Sequence, residues 1–238
     1  MIIREKYLSK IRPFNNKDLI KVIIGIRGSG KTVILKQIIN ELVNSGIDKE
    51  QIIYINFEFE DYYDICNHKD FNKYIEDKII NDKKYYLFFD EIQKVDKWEL
   101  AVNSFKARHE EFVSIFITGS NSDLLSGELA THIAGRYVSF KIYPFTFKEV
   151  CEFKKIENKD KYDLERDFEK YVKWGELPQR FILTEEEHIR TYLTEIYNSI
   201  VVKDIIDRFN IKDLDLFNRI VEYIVTTVSQ TFFIRKFS

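Results

Sequence analysis

A glycine-rich segment early in the chain has the spacing of a phosphate-binding loop. Residues 25–32 read GIRGSGKT and match the pattern Gly-x-x-x-x-Gly-Lys-Thr. Glycine lets the backbone wrap closely around phosphate oxygens with its N–H groups pointing inward. The helix predicted to begin near Lys31 directs the positive end of its dipole at the same point. The segment therefore predicts a site for ATP or ADP.

The positions of this loop have different predicted roles. Lys31 is expected to reach the β- and γ-phosphates, and Thr32 is expected to offer its hydroxyl oxygen to Mg²⁺. Arg27 either contacts phosphate or a carboxylate, or is a solvated loop arginine, and the sequence leaves both open. The predicted nucleotide contacts in this segment are Gly25, Arg27, Gly28, Ser29, Gly30, Lys31, Thr32 and Val33.

Two adjacent carboxylates follow the apolar run Tyr85–Phe89. Asp90 is expected to hold Mg²⁺ through its water shell, and Glu91 is expected to polarise a water for in-line attack on the γ-phosphate. Taken alone, the pair could be a strand that ends in solvated acids. Beside a phosphate-binding loop it predicts hydrolysis, because a small-molecule kinase hands phosphate to a bound substrate and does not need a built-in base.

Further polar residues follow later apolar runs. Thr118, Ser120 and Asn121 are candidates for hydrogen bonds to the γ-phosphate or to the attacking water, with turn formation and helix capping as the alternative. Arg136 is a candidate for stabilising transition-state charge in its own site or in a neighbour's, with a structural ion pair as the alternative. The predicted catalytic set is Lys31, Glu91, Thr118, Ser120 and Arg136.

Apolar runs of strand length alternate with helical patterns between residues 19 and 142, which predicts an α/β fold with helices on both faces of a parallel sheet. The first helix is expected to end at Gly46. The predicted strands are Leu19–Ile24, Ile52–Phe57, Tyr85–Phe89, Val113–Ile117 and Tyr137–Ile142.

Charged helical periodicity replaces the strands after Pro144, so residues 1–150 are predicted to form the core and 151–238 a helical module. Residues 154–161 read as a polar connector. Amphipathic helices are predicted over 185–207 and 213–228, and Ser229 is a candidate cap for a further one.

Composition sets limits on function. With 238 residues, 45% of them hydrophobic, the chain can bury one sizeable core, and a net charge of -2 creates no global attraction to nucleic acid or anionic lipid. Apolar runs are too short to cross a bilayer, which favours the cytoplasm. Cys66, Cys151 and the four dispersed histidines predict neither a disulfide nor a zinc site.

Several segments together resemble a family of bacterial and archaeal AAA+ superfamily ATPases, over about residues 4–180. They are GIRGSGKT, LFFDEIQKVDKWE, FITGSNSDLLSGELATHIAGRYVSFKIYPFTFKEV and WGELP. The resemblance implies a P-loop core with sheet order 5-1-4-3-2, a helical lid and a winged-helix module. Members usually continue into a nuclease-like domain, so the chain resembles an ATPase fragment that ends at the start of the winged helix.

The resemblance also implies how adenine is held. In related signalling ATPases a lid proline packs against the base, and Pro178 in Gly175–Pro178 resembles it, although the spacing departs by one residue. The alternative is a loop proline that starts a helix. The segment Tyr7–Phe14 would supply the other wall.

These observations predict an ATP-hydrolysing, nucleotide-driven switch that uses Mg²⁺. The alternative is a nucleotide-gated binding module with little turnover, which includes a DNA-directed one. The expected partners are the nucleotide, a DNA or protein client at the C-terminal module and a second copy of the chain, with no membrane.

Overall fold

A five-stranded parallel sheet is the centre of the computed structural model, which describes residues 2–119, 133, 135–157, 163–207 and 209–228. The strands are β1 (Ile20–Ile24), β2 (Ile52–Asn56), β3 (Tyr85–Asp90), β4 (Val113–Gly119) and β5 (Tyr137–Lys141). Their order is β2-β3-β4-β1-β5, and every neighbouring pair is parallel. The α/β class and the order 5-1-4-3-2, read from the opposite edge, are confirmed.

The helices fall in two compact units, residues 1–184 and 185–238. The first unit contains α1 (Glu5–Ile11), α2 (Lys31–Asn44), α3 (His68–Glu76), α4 (Trp98–His109), α5 (Phe147–Glu157) and α6 (Leu164–Trp174). The second contains α7 (Glu186–Ser199), a π-helix (Ile200–Asp207) and α8 (Leu214–Thr226).

Helix α2 follows the glycine-rich loop and ends where the sequence predicts. Gly46 has φ +97°, and its N–H donates to the carbonyl of Val43 at 3.0 Å. The N–H of Ile47 donates to the carbonyl of Leu42 at 3.1 Å. A left-handed glycine with these two bonds satisfies the last carbonyls of a helix and stops it.

Alternating strand residues build a core on each face of the sheet. Ile20, Val22 and Ile24 of β1 belong to the layer that includes residues of α3 and α4, whereas Ile23 belongs to the layer that includes residues of α1 and α2. Successive strand side chains point to opposite faces, so an apolar run can fill both layers. The two layers fix the strands, and because every neighbouring pair is parallel, the carboxyl ends of all strands lie at the same end of the sheet.

Four expectations about the C-terminal part need correction or stay open. The helix predicted over 185–207 is α-helical only to Ser199, and π-helix follows. The predicted connector 154–161 is wrong at its start, because α5 continues to Glu157 while Val150 on its inner face is buried. The predicted boundary at 150/151 falls inside α5, and the division into core and lid stays a prediction. Ser229 lies outside the described residues.

Candidate nucleotide-binding site

The loop between β1 and α2 has a backbone that only glycine fits at several positions. Gly28 and Gly30 have φ of +78° and +96°. A Cβ atom at Gly25 would lie 2.4 Å from the carbonyl oxygen of Ile142 and 2.6 Å from Oγ of Ser29. The buried Ser29 Oγ has no hydrogen-bond partner among the described residues. This narrow cradle with an unused buried hydroxyl fits a phosphate group.

Lys31 places a buried ammonium group beside this cradle. Its Nζ atom donates to the carbonyl of Gly25 at 3.1 Å and lies 3.5 Å from Oε1 of Glu91. Thr32 and Val33 follow in the first turn of α2, both half-buried, and Arg27 is half-buried in the loop. The loop and the end of β3 therefore converge at Lys31.

Asp90 ends β3 as a fully buried carboxylate with three donors. The Thr118 hydroxyl donates to Oδ1, and Tyr54 Oη and Asn56 Nδ2 donate to Oδ2 at 3.1 and 3.4 Å. Burial, and then the charge of Asp90, raise the pKa of the Tyr54 phenol, so Tyr54 remains a donor. These contacts hold the carboxylate in one orientation. Asp90 precedes Glu91 and Thr32 follows Lys31, and the Glu91 and Lys31 side chains approach to 3.5 Å. A carboxylate and a threonine hydroxyl are oxygen ligands of the kind that Mg²⁺ takes.

Glu91 has a backbone conformation that is unusual for its type. Its φ is +54°, in the left-handed region. Its N–H donates to Oγ1 of Thr118 at 3.1 Å, and its Oε2 accepts a bond from Nε2 of Gln93 at 2.6 Å. Strained residues that are held by several contacts are common at functional sites. The Glu91 carboxylate is thus fixed between Gln93 and Lys31.

Two predicted site residues are not found at the carboxyl ends of the strands. Ser120 cannot be placed, and Arg136 lies elsewhere. Ser120, like Asn121, lies outside the described residues. Arg136 lies at the amino-terminal ends of the strands, because its carbonyl accepts the N–H of Ile20, the first residue of β1. The loop follows Ile24, at the other end of that strand. Five strand residues span roughly 16 Å. The expectation that Arg136 acts in its own site is therefore wrong, and action in a neighbour's site stays a prediction.

An apolar cavity of about 280 Å³ adjoins the loop. Its lining is Ile2, Arg4, Gly30, Val33, Phe145, Phe153, Pro178, Gln179 and Ile182. Val33 and Pro178, both predicted nucleotide contacts, line this cavity together. The segment Tyr7–Phe14, which was expected to supply a wall of the adenine pocket, does not line this cavity. Ile2 and Arg4 do so, whereas Tyr7, Leu8 and Ile11 are buried in the core beside α2.

Tyr54, Asn56 and Gln93 contact the site carboxylates but were not predicted from the sequence. Asn56 is directly opposite Asp90 in the β2–β3 register, so strand pairing alone could have indicated it. Gln93 follows Glu91 by two positions, but its contact depends on the left-handed turn at Glu91. In the part of the chain that the structure describes, no cluster of His, Cys, Asp and Glu could hold a metal by itself, and no helix has the length and apolar character needed to cross a bilayer.

Comparison with known proteins identifies the family. A family model described as "AAA domain" matches residues 17–151, which is more than half of the chain. An uncharacterized protein of Haemophilus influenzae is 38% identical over 231 residues, which cover 97% of this chain and 57% of the relative. The chain belongs to the AAA domain family, and its fold is that of the AAA+ P-loop ATPases.

Two further proteins are similar to this chain. Uncharacterized protein MJ1544 of Methanocaldococcus jannaschii is 35% identical over 201 residues, which cover 82% of this chain and 44% of the relative. In the S. cerevisiae Hsp104:casein complex, a chain superposes with a TM-score of 0.51 at 14% identity, over 76% of this chain and 36% of that chain. At this identity the likeness shows the fold alone. The chain spans about half the length of the curated relatives that it matches.

Proposed function

We propose that the protein is a Mg²⁺-dependent ATPase of the AAA+ type that acts as a nucleotide-driven switch. One observation carries the proposal: Lys31 of the loop and Glu91 at the end of β3 approach to 3.5 Å, next to the buried Asp90. A phosphate-binding lysine, a metal-holding acid and a general base are the groups that hydrolysis of a γ-phosphate needs. Membership of the AAA domain family supports it.

Each group of site residues has its own role in this proposal. The loop glycines and Ser29 hold the phosphates, Lys31 neutralises their charge, and the cavity lined by Val33 and Pro178 takes the adenine. Thr32 and Asp90 would hold Mg²⁺, which supplies charge neutralisation and alignment of the phosphates.

The base in this proposal is Glu91. Its carboxylate accepts a proton from the attacking water, and Gln93 and Lys31 keep it facing the loop. General-base catalysis of this kind contributes about 10²- to 10⁴-fold. Thr118 is a positioning residue, because its hydroxyl joins Asp90 to the backbone of Glu91.

Phosphate release by the purified protein tests the proposal. We expect Mg²⁺-dependent release that Lys31→Ala and Glu91→Gln each reduce about 100-fold or more. Glu91→Gln should still bind ATP, since the amide keeps the shape and only the base is lost. Release that is unchanged in both variants would show that another site or a contaminant hydrolyses ATP.

Arg136 is proposed to complete the site of a neighbouring copy, because it lies at the amino-terminal ends of the strands, away from its own loop. A mixing experiment tests this. Arg136→Ala has an intact loop and base, and Glu91→Gln has an intact arginine, so a mixture of the two inactive variants should regain activity. A mixture that stays inactive, while wild-type turnover per molecule is independent of protein concentration, excludes a shared site.

A second candidate is a nucleotide-gated binding module with little turnover. The observation in its favour is that both Glu91 oxygens are engaged, one by Gln93 and one by Lys31. In this case ADP should raise the melting temperature as much as ATP does, without phosphate release. The candidate clients are DNA or a protein in the cytoplasm, bound by the C-terminal module predicted over residues 151–238. Salt-sensitive binding to DNA would identify DNA.

A further inference from the structure

Arg4 is a charged side chain that is almost fully buried, with 1% of its side-chain surface exposed. Its Nε and Nη2 atoms donate to Glu149 at 2.8 and 3.2 Å, and its Nη1 atom donates to the carbonyl of Ser29 at 2.8 Å. The Nη2 atom also donates to the carbonyls of Tyr143 and Pro144 at 2.9 and 3.1 Å. A single guanidinium thus joins the phosphate-binding loop to the segment after β5 and to α5.

We infer that Arg4 is a positioning residue that orients the Ser29–Gly30 peptide of the loop for phosphate binding. The inference rests on the proposed nucleotide site. In a planar trans peptide the carbonyl of Ser29 and the N–H of Gly30 point in opposite directions. Because Arg4 holds the carbonyl, the N–H of Gly30 faces the other side, where the loop receives a phosphate oxygen.

An external contact is needed at this point of the loop. Gly30 has φ +96°, and glycine rotates more freely than any other residue, so the peptide does not fix its own orientation. An ionised donor gives a stronger hydrogen bond than a neutral one. A Cβ at Gly30 would lie 3.5 Å from Nη1 of Arg4, which shows how closely the guanidinium backs the loop.

Glu149 keeps Arg4 in place. The backbone N–H and the hydroxyl of Thr146 donate to Oε2 of Glu149 at 2.8 and 3.0 Å, and Oγ1 of Thr146 accepts the N–H of Glu149 at 3.3 Å. These are the bonds of a capping box at the start of α5. Burial alone would raise the pKa of Glu149, but the bonds from Arg4 and Thr146 outweigh it and the pKa is lowered.

The backbone around Arg4 is anchored independently of its side chain. Nε2 of Gln37 donates to the carbonyl of Ile2 at 2.6 Å, and the N–H of Arg4 donates to Oε1 of Gln37 at 3.1 Å. Gln37 belongs to α2, so the amino-terminal residues are tied to the helix that follows the loop. A change of the Arg4 side chain therefore leaves this attachment intact.

The test is a double variant, Arg4→Met with Glu149→Gln. Removing both charges avoids a buried, uncompensated carboxylate, and glutamine can still accept from Thr146. The matched control is Arg12→Met with Glu5→Gln at the same end of the chain, where the half-exposed Arg12 pairs with the exposed Glu5 and also with Glu41 of α2. Three quantities are measured for each: the melting temperature, the Kd for Mg–ADP and the ³¹P chemical shift of the β-phosphate of bound ADP.

We expect the double variant to fold, to bind Mg–ADP about tenfold or more weakly, and to shift the bound β-phosphate resonance towards that of free ADP. The control should have the wild-type Kd for Mg–ADP and the wild-type β-phosphate chemical shift. A folded double variant with the wild-type Kd and the wild-type β-phosphate shift overturns the inference. Wild-type protein that binds no ADP overturns the proposed function instead.

If the double variant does not fold, Arg4→Lys decides the question. Lysine keeps the charge opposite Glu149 but is a compact point charge that lacks the fork of arginine donors. We expect a folded protein with a weaker Kd and a displaced β-phosphate resonance at saturating ADP. An unchanged resonance in this variant overturns the inference.

Discussion

Lys31 Nζ and Glu91 Oε1 lie 3.5 Å apart and connect the start of α2 to the end of β3. The glutamate that makes this contact has a left-handed backbone, with φ +54°. The site therefore contains a local conformational cost at the residue proposed as the base. Such a cost persists only where surrounding contacts hold the residue, and Thr118 and Gln93 provide them.

Replacing Glu91 by glycine or by alanine measures this cost. Both changes remove the carboxylate and should abolish phosphate release. Glycine adopts φ +54° without steric penalty, whereas alanine does not, so Glu91→Gly should be more stable than Glu91→Ala by about 1 kcal/mol. The free energy of unfolding from urea titration is the measurement. An alanine variant as stable as the glycine variant would show that the backbone is not strained.

Gly25→Ala should disrupt the loop. The added methyl group would lie 2.4 Å from the backbone carbonyl of Ile142, which cannot move without shifting the strand connection. We expect a loss of stability on the order of 2 kcal/mol and loss of ATP binding, measured by thermal unfolding and nucleotide titration. Gly46→Ala is the control for a loss of stability away from the loop: Gly46 has φ +97°, which disfavours alanine, but a Cβ atom there meets no atom within 4 Å. That variant should lose stability and still bind ATP.

Thr118→Val should slow turnover while Thr118→Ser should not. Valine has the shape of threonine but lacks the hydroxyl that donates to Asp90 and accepts the N–H of Glu91. We expect kcat to fall about 10- to 100-fold, as loss of a charge-assisted hydrogen bond implies. Steady-state ATPase assays at saturating Mg²⁺ give kcat and KM. Wild-type kcat in the valine variant would remove Thr118 from the catalytic arrangement.

Lys21 should make stability depend on pH. Burial, and then the charges of Lys84 and Lys106, lower its pKa to about 7. In the unfolded chain its pKa is about 10.4, so between these values the unfolded state binds one proton more than the folded state, and stability rises with pH. Below pH 7 the folded lysine is protonated too, and the cost of its buried charge is fully present.

The variant Lys21→Met removes this titration. Its free energy of unfolding should exceed that of wild type at pH 7.5, and the difference should shrink by about 1.4 kcal/mol per pH unit towards pH 9.5. Urea unfolding at pH 7.5, 8.5 and 9.5 checks the slope. Lys10→Met, on the exposed side of α1, should follow the wild-type slope. Parallel curves for wild type and Lys21→Met would contradict the prediction.

The sheet could be predicted from the sequence because it depends on local signals. Apolar runs, glycine spacing and the adjacent acids indicated β1, the loop and Asp90 with Glu91. The location of Arg136 could also have been predicted, because a residue directly before a strand of a parallel sheet lies at the end opposite a loop that follows the neighbouring strand. Arg4 and Glu149 are 145 positions apart, and no periodic pattern links them. Contacts of this kind are determined by tertiary packing.

The place of β1 in the sheet has a consequence for biosynthesis. Lys21 on β1 bonds Ser114 on β4, 93 positions later, and the other neighbour of β1 is the still later β5. A chain emerging from the ribosome therefore exposes the phosphate-binding loop long before either strand that braces it is available. Closing such long loops is slow, because the entropy is lost before the contacts form. We therefore expect the proposed nucleotide to stabilise this protein only late in its synthesis, after β4 has emerged.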